Sequence, residues 1–369
     1  MRAAIVGLGN MGAAIAYAMD KLGFDITAMD NRLTVSSDVP EGEDNRFMVV
    51  DDLKFSLEQL AAFKRPEVLI SSLPYNQTEE VGLWCIENSV RYCDLGGKVS
   101  VSKRINDAGN ASHPSSRSVF TDLGLAPGWV NILAEHGYRQ LHSNGGDLSV
   151  KMMVGGLPDY LESAGNPLRY ATTWSVEGLI NEYKDDCIII EDGFVKTVRG
   201  MDGLETVKTD SLGKLEAFYT SGGASHSIAS MKERGVKNCS YKTLRYDGHC
   251  EIIRFLIREC GLSDDTLTKI FAGCGKAEKD EVIIVAEVSK GNSSWREEKI
   301  IKSDKRFSAM QKATAFPIAS VAAIMAEGKM EGDKEQRRDY WTTYPKALTY
   351  ADVPFEDFTN NLKTLGLDG

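Results

Sequence analysis

Arg2-Ala3-Ala4-Ile5-Val6-Gly7-Leu8-Gly9-Asn10-Met11-Gly12 decides the fold: a short apolar run ends in glycine, and the glycines that follow are spaced G-x-G-x-x-G. Met11, Ile15, Ala18, Met19 and Leu22 then recur at helical spacing, so the stretch reads strand, turn, helix. The pattern alone is weak; its setting strengthens it. Asp30 ends the next apolar run, close to the roughly 20 residues of separation that a dinucleotide-binding turn calls for. Gly7 permits the tight turn, Gly9 lets the backbone approach a pyrophosphate, and Gly12 lets helix and strand pack closely. Asn10 and Met11 open the helix whose N-terminus faces the phosphates. Asp30 would accept hydrogen bonds from the adenosine ribose. A carboxylate there repels a 2′-phosphate and favours NAD, while Arg32, two residues on, suits that phosphate and keeps NADP open. Asp51, Leu73 and Pro74 complete the expected cofactor-binding set.

Outward from this turn the alternation continues. Gly23 stops the first helix, Asp25 to Asp30 and Arg46 to Val50 read as strands, Leu57 to Phe63 as a helix, and Val68 to Leu73 as a strand. A helix from about Thr78 to Asn88 and strands at Val90 to Asp94 and Val119 to Asp122 extend the series. Such alternation implies parallel strands with right-handed crossovers, a doubly wound α/β sheet. From Asp147 the pattern changes to apolar runs between glycine-rich turns (Leu148 to Val154, Cys187 to Glu191, Val282 to Val288), which suit a second α+β domain on a mixed sheet. Ser308 to Glu327 reads as a long alanine-rich helix kinked at Pro317, and Lys329 to Tyr340 as an exposed loop. The expected boundaries are 1–123 for the dinucleotide domain, 124–306 for the substrate and dimerisation domain, and 307–369 for a helical return to the first.

Composition narrows the partners. With 369 residues, 42% of them apolar, the chain is long enough for two cores. A formal net charge of −10 argues against nucleic acid or an anionic membrane surface as the main partner. The seven cysteines are scattered and never spaced C-x-x-C, which suggests neither a disulfide framework nor a zinc site. Strand-like sequence from Arg2 leaves no room for a signal peptide, and no run approaches the roughly 18 consecutive apolar residues of a membrane helix. A cytoplasmic protein without a metal is expected. Gly273-Cys274-Gly275-Lys276 resembles the end of a phosphate loop, but Ile270 and Ala277 occupy positions where glycine and Ser or Thr are needed. The five histidines (His113, His136, His142, His226, His249) lack metal-ligand spacing, and no serine sits in a nucleophile elbow.

Six further segments occur in order: Ser71-Ser72-Leu73-Pro74-Tyr75, Tyr92-Cys93-Asp94-Leu95-Gly96, Gly124-Leu125-Ala126-Pro127-Gly128, Gly155-Gly156-Leu157-Pro158, Trp174-Ser175-Val176-Glu177-Gly178-Leu179-Ile180 and Leu244-Arg245-Tyr246-Asp247-Gly248-His249. Together they resemble the signature segments of the saccharopine dehydrogenase and lysine 6-dehydrogenase superfamily. The resemblance implies an N-terminal Rossmann domain, a mixed-sheet substrate domain, a homodimer, and oxidation or reduction of a carbon–nitrogen bond in an amino acid or polyamine. Ala126 and Val154 depart from the saccharopine reductase pattern, which resembles G-L-D-P-G and C-G-G-L-P, and so favour a lysine 6-dehydrogenase type that oxidises the side-chain amine of L-lysine. Asp247, where the family often has proline, is a further departure. Saccharopine or carboxynorspermidine dehydrogenation, and a non-catalytic NAD(H) sensor, stand as alternatives.

Amine oxidation needs a neutral amine, a positioned nicotinamide and a group that manages protons. Tyr75, Asp94 and Asp122 end or follow strands at the edge where a cofactor lies, and Lys98 follows the Gly96-Gly97 turn; these are the candidate catalytic residues. Rim packing for Tyr75, turn capping for the two aspartates and a solvated loop position for Lys98 are the structural alternatives. Arg245 is the candidate clamp for a substrate carboxylate, because guanidinium binds carboxylates bidentately. Trp174 is a candidate wall for an aliphatic chain, Glu177 a partner for an amino group, and His249 a second donor. A structural ion pair at a domain joint is the alternative for Arg245, and a core or surface position for Trp174, Glu177 and His249.

Overall fold

The computed structural model describes all residues except 33–44, 64, 113–117, 143–146, 160–164, 331–346 and 369, so most of the polar stretch Lys329 to Tyr340, and His113, lie outside the described residues. The chain forms two compact units, Met1–Trp129 with Ala313–Gly369, and Val130–Lys312.

In the first unit, β1 (Arg2–Val6), β2 (Asp25–Asp30), β3 (Arg46–Val49), β4 (Val68–Ser71), β5 (Arg91–Asp94) and β6 (Val119–Phe120) pair in parallel in the order β3-β2-β1-β4-β5-β6. The order reverses beside β1, which makes the C-terminal end of β1 and β4 the topological switch point where ligands of open α/β sheets bind. The helices α1 (Asn10–Lys21), α2 (Leu53–Phe63), α3 (Tyr75–Glu87) and α4 (Val99–Ala111) link the strands, and α5 (Trp129–Leu141) follows β6 in the chain. β4 is buried throughout, and burying Leu69 or Ile70 in full stabilises by roughly 1.5–3 kcal/mol each. The expected strands and helices appear with shifted ends: α3 begins at Tyr75, just after Pro74, whose missing N–H suits a helix start. The fold class read from the sequence is the one observed.

Helix α4 was not expected. Of its buried residues, Val101, Ile105 and Gly109 lie four apart with Ser102 beside them, but half of that stripe is polar or glycine and carries little apolar signal.

The second unit is built on β7 (Leu148–Pro158), β8 (Asp186–Glu191), β9 (Phe194–Arg199), β10 (Glu205–Thr209), β11 (Gly213–Tyr219), β12 (Asn238–Arg245), β13 (Asp280–Lys290) and β14 (Ser293–Lys302). The main path runs β10-β11-β12-β7-β13-β14, with β8 and β9 joined to β12. Among the described strands of this sheet, β12 and β7 pair in parallel and the remaining neighbours are antiparallel, which makes the sheet mixed. Its two far edges meet. Glu298 on β14 accepts from the backbone N–H of Asp210 and of Ser211, and Arg296 donates to Lys208 O, so the sheet curls onto itself around a cluster that includes Met153, Leu215, Leu244 and Ile283. The opposite face packs against α6 (Val176–Lys184), α8 (His249–Arg254) and α9 (Asp264–Gly273), around Tyr170, Tyr183, Phe218 and Phe271, while α7 (Ser227–Glu233) lies beside β8 and β12.

Helix α10 (Ala309–Ala326) is long and apolar enough to cross a membrane by composition, yet 78% of it is buried within the protein, which is the pattern of a core helix. Pro317 lies inside it. The N-terminal N–H groups of Ala309 and Met310 are capped by the buried carboxylate of Asp280.

Candidate functional site

At the switch point the glycine turn is built as the sequence spacing requires. Gly7 has φ +90°, in the left-handed region that favours glycine. A Cβ on Gly12 would lie 1.8 Å from Gly7 O, so α1 packs on the turn only because Gly12 has no side chain. A Cβ on Gly9 would meet nothing within 4 Å: the backbone is open on that side at the N-terminus of α1, the end of a helix that favours an anion. A diphosphate fits this cradle. Leu73 lies against Gly7, and Pro74 and Asp51 are exposed close to the ends of β4 and β3.

Asp30 and Arg32 are paired with each other. The Asp30 carboxylate accepts from Leu8 N (2.6 Å), Arg32 N (2.9 Å), Arg32 Nε (2.7 Å) and Arg32 Nη2 (2.9 Å). The arginine side-chain bonds, with help from the Leu8 and Arg32 backbone and against the effect of burial, hold its pKa at about 2. Asp30 thus braces the glycine turn through Leu8 as well as ending β2.

The four candidate catalytic residues of this unit fall into two layers. Asp94 and Asp122 are buried. Asp94 Oδ1 accepts from Gly96 N (2.8 Å) and Asp122 N (3.0 Å), and its Oδ2 from the Tyr92 hydroxyl (3.0 Å). Asp122 has φ +65° and accepts from the Ser102 hydroxyl (2.7 Å), while its carbonyl accepts from Tyr350. A Cβ on Gly96 would fall 2.3 Å from Asp122 Oδ1, so the carboxylate occupies the space that glycine leaves. Burial, and then the negative charge of Asp122, raise the Asp94 pKa to about 7 despite these hydrogen bonds. Above them Tyr75 and Lys98 are exposed, with the Lys98 ammonium 5.5 Å from the Tyr75 ring centroid and Gly97 against the Tyr75 Cβ. The aspartates shape the turn; the tyrosine and lysine present groups at its surface.

In the second unit Arg245 and His249 are enclosed. Arg245 Nε donates to the Tyr183 hydroxyl (3.0 Å) and Nη1 to Leu244 O (2.9 Å), with its guanidinium 5.5 Å from the Tyr170 ring centroid. The Tyr183 hydroxyl in turn lies 3.0 Å from His249 Nε2, and His249 Nδ1 lies 2.8 Å from Leu168 O. A carbonyl accepts only, so Nδ1 carries the proton, Nε2 accepts from Tyr183, and Tyr183 accepts from Arg245. Burial, and then the Arg245 charge, lower the His249 pKa to about 3, which keeps the ring neutral. Glu182, a partly exposed residue with an enclosed carboxyl group, is raised to about 8 by burial against the opposing pull of Arg245. Trp174 is half-buried on the edge of this cluster, against Gly178, and Glu177 is exposed in the first turn of α6. The structure therefore brings Arg245 and His249 together, through a tyrosine that the sequence reading did not single out. Tyr183 and Glu182 follow Leu179-Ile180 in the motif, and helical periodicity alone would have placed Tyr183 on the buried face. Among the described residues no group of His, Cys, Asp and Glu is arranged to hold a metal ion.

The parallel nucleotide-type sheet joined to a mixed-sheet unit defines the class, a two-unit α/β protein with a Rossmann sheet. Residues 124–339 match the family model "Saccharopine dehydrogenase C-terminal domain", more than half of the chain, and the protein belongs to that family. The chain is 27% identical over 211 residues to saccharopine dehydrogenase (NADP(+), L-glutamate-forming) of Pyricularia oryzae, covering 56% of this chain and 45% of that protein. Against the protein of the same name from Saccharomyces cerevisiae it is 25% identical over 217 residues, covering 56% and 46%. The matches thus span less than half the length of these curated relatives. The structure of apo histidine-tagged saccharopine dehydrogenase (L-Glu forming) from Saccharomyces cerevisiae aligns over 99% of this chain and 98% of that chain, with a TM-score of 0.73 and 15% identity, which shows a shared fold.

Proposed function

We propose that the protein is an oxidoreductase that uses NAD or NADP and acts on a carbon–nitrogen bond of an amino acid, with the side-chain amine of L-lysine as the first substrate to test. The observation that carries the reading is the glycine turn at the switch point: a backbone shaped by Gly7 and Gly12, open over Gly9, and braced by Asp30. Family membership, and relatives named as NADP(+)-dependent dehydrogenases, support it.

In this reading the N–H groups at the start of α1 hold the pyrophosphate, and the Asp30–Arg32 pair meets the adenosine ribose. Asp51, Leu73 and Pro74 flank the dinucleotide. When bound, the nicotinamide supplies a hydride acceptor. The chain's task is to present a neutral amine carbon to it and to manage the proton and water that turn the resulting imine into an aldehyde and ammonia. Tyr75 and Lys98 are in this reading the groups that touch a ligand, supported by their exposure at the end of the sheet. Asp94 and Asp122 position the turn that carries Lys98. In the other unit, taken by itself, Trp174 and Glu177 are accessible at and just before the start of α6, and Arg245 with His249 forms an enclosed frame.

Steady-state reduction of NAD and NADP with L-lysine, saccharopine and carboxynorspermidine tests this. Lysine turnover with ammonia release is the expected result; turnover of no amine with either nucleotide, despite nucleotide binding, would overturn the enzymatic reading in favour of a sensor. Saccharopine is the second reading, favoured by the names of the curated relatives. Ala126 and Val154, where the saccharopine reductase pattern has Asp and Cys, weigh against it.

A further inference from the structure

In the second unit the carboxyl of Glu182 is enclosed, and among the described residues no donor hydrogen-bonds to it. The cation that acts on it, Arg245, gives Nε to Tyr183 and Nη1 to Leu244 O. Two buried hydroxyls share this condition: those of Tyr170 and Thr173 lie close together without completing a hydrogen bond. Burial, with the Arg245 charge opposing and the Glu182 charge adding to it, raises the Tyr170 pKa to about 12, so Tyr170 lies within the field of both charges. Protein interiors leave few polar groups unsatisfied, and these three call for a polar guest. Helix α6 shows how such a guest is presented. Trp174, Gly178 and Glu182 follow one another at intervals of four, which puts them on one face, and each is half-buried. The Trp174 indole covers Gly178, where a Cβ would fall 2.6 Å from its Cζ3. A helical side chain leans over the turn before its own, which for Glu182 is the turn of Gly178. A carbon chain laid along the indole therefore leads to a carboxyl. Glu177 is exposed and one residue off that face.

We propose that Glu182, not Glu177, receives the substrate ammonium that is not oxidised, and that the Trp174 indole lines the carbon chain leading to it. The proposal rests on the reading of the protein as an amino-acid oxidoreductase and adds which residue recognises the second amino group. The reacting amine has to be neutral, whereas a spectator amine keeps its proton and needs an anion. An ammonium brings three donors, which suits a carboxylate with unpaired hydroxyls in the same cluster. Glu182 in turn gains the charge-assisted hydrogen bonds that the protein leaves it without.

The test compares L-lysine with 6-aminohexanoate, which keeps the side-chain amine and the carboxylate but lacks the α-ammonium. Steady-state kcat/KM is measured for both on the full chain with its nucleotide, for the wild type, Glu182→Gln and Glu177→Gln. The wild type is expected to favour lysine by about tenfold or more, the effect of a charge-assisted pair, and Glu182→Gln to abolish that preference through the KM of lysine. Thermal unfolding separates recognition from a structural role. Loss of an enclosed carboxyl that accepts no hydrogen bond should leave the melting temperature unchanged or higher, whereas breaking a structural ion pair with Arg245 would lower it. Should the wild type turn over saccharopine and not lysine, Glu182→Gln is expected to raise the KM of saccharopine, which carries the same α-ammonium. A wild type indifferent between lysine and 6-aminohexanoate overturns the assignment while the proposed function stands. So does a Glu182→Gln protein that loses both amines equally or melts earlier, or a selective loss produced by Glu177→Gln instead. Turnover of none of these amines overturns the proposed function and this assignment with it.

Discussion

Two polar clusters, one at the C-terminal ends of the parallel strands and one on the helical face of the mixed sheet, share their ingredients: carboxylates, tyrosines and a cation. They differ in where the donors and acceptors point. In the first, buried Asp94 and Asp122 satisfy the backbone of a turn, and that turn lifts Tyr75 and Lys98 into the open. In the second, Arg245, Tyr183 and His249 satisfy one another in a closed relay that ends on Leu168 O. The difference is one of satisfaction and access: the Arg245 guanidinium is buried and spends its observed hydrogen bonds inside the unit, whereas Tyr75 and Lys98 rest above buried carboxylates and are open to solvent.

The comparison breaks most readily at Arg245. Arg245→Met removes the donor to Tyr183 and the cation beside the enclosed Glu182 carboxyl, and should destabilise the protein by about 3 kcal/mol in urea unfolding. A variant of unchanged stability with a raised KM would instead make Arg245 a substrate clamp. On the other side, Gly12→Ala and Gly9→Ala separate folding from binding. The first places a methyl against Gly7 O and should cost about 1–3 kcal/mol. The second meets nothing in the protein, so its melting temperature should stay at the wild-type value while nucleotide affinity falls; equal loss of stability in both would show that the cradle over Gly9 is not open.

How far these features could be read from the sequence follows from the kind of signal each leaves. The parallel sheet announces itself because strands buried on both faces are continuous apolar runs, and Gly7, Gly9 and Gly12 each leave a spacing that backbone geometry demands. The curled mixed sheet was legible only in part. Its exposed strand β9 has scarcely a buried residue, and the closure between its two edges depends on Glu298 and Arg296, which in the sequence are ordinary surface charges. Pairing across 62 or 66 residues, as Tyr183 pairs with Arg245 and His249, leaves no local pattern at all. The same holds for Asp30 and Arg32: their closeness was evident, but whether they would pair or each await a ligand depends on side-chain geometry.

The closed relay also has a signature in pH. His249 binds a proton near pH 3 when folded and near its ordinary value of 6.5 when unfolded. Between those values the unfolded chain holds more protons, so the contribution of His249 is fully present above about 6.5 and is lost as pH falls, at about 1.4 kcal/mol per pH unit at the steepest. Asp94 and Glu182, whose folded values are raised, act in the opposite direction over their own windows, losing stability as pH rises toward 7 and 8. Comparing wild type with His249→Gln between pH 4 and 7 isolates the histidine: the stability difference should change with pH in the direction stated. A constant difference would place His249 in an open, hydrated site and remove the contrast between the clusters.

The smallest effect on folding is expected where the largest effect on function is proposed. Lys98 is exposed, and a cation over an exposed ring contributes only about 0.5–1 kcal/mol. Lys98→Ala should therefore shift stability by no more than about that amount, measured by thermal unfolding, while turnover of the amine substrate falls. Asp94→Asn supplies the control from the layer beneath. Asn keeps an acceptor for Gly96 N and Asp122 N, so the turn persists, but the acidic group that titrates near 7 is gone. If Lys98 touches the ligand and Asp94 positions the turn, Lys98→Ala lowers kcat at every pH, whereas Asp94→Asn mainly alters the pH profile. If Lys98→Ala leaves turnover intact, the exposed pair is surface packing, and the division between an open and a closed cluster loses its functional meaning.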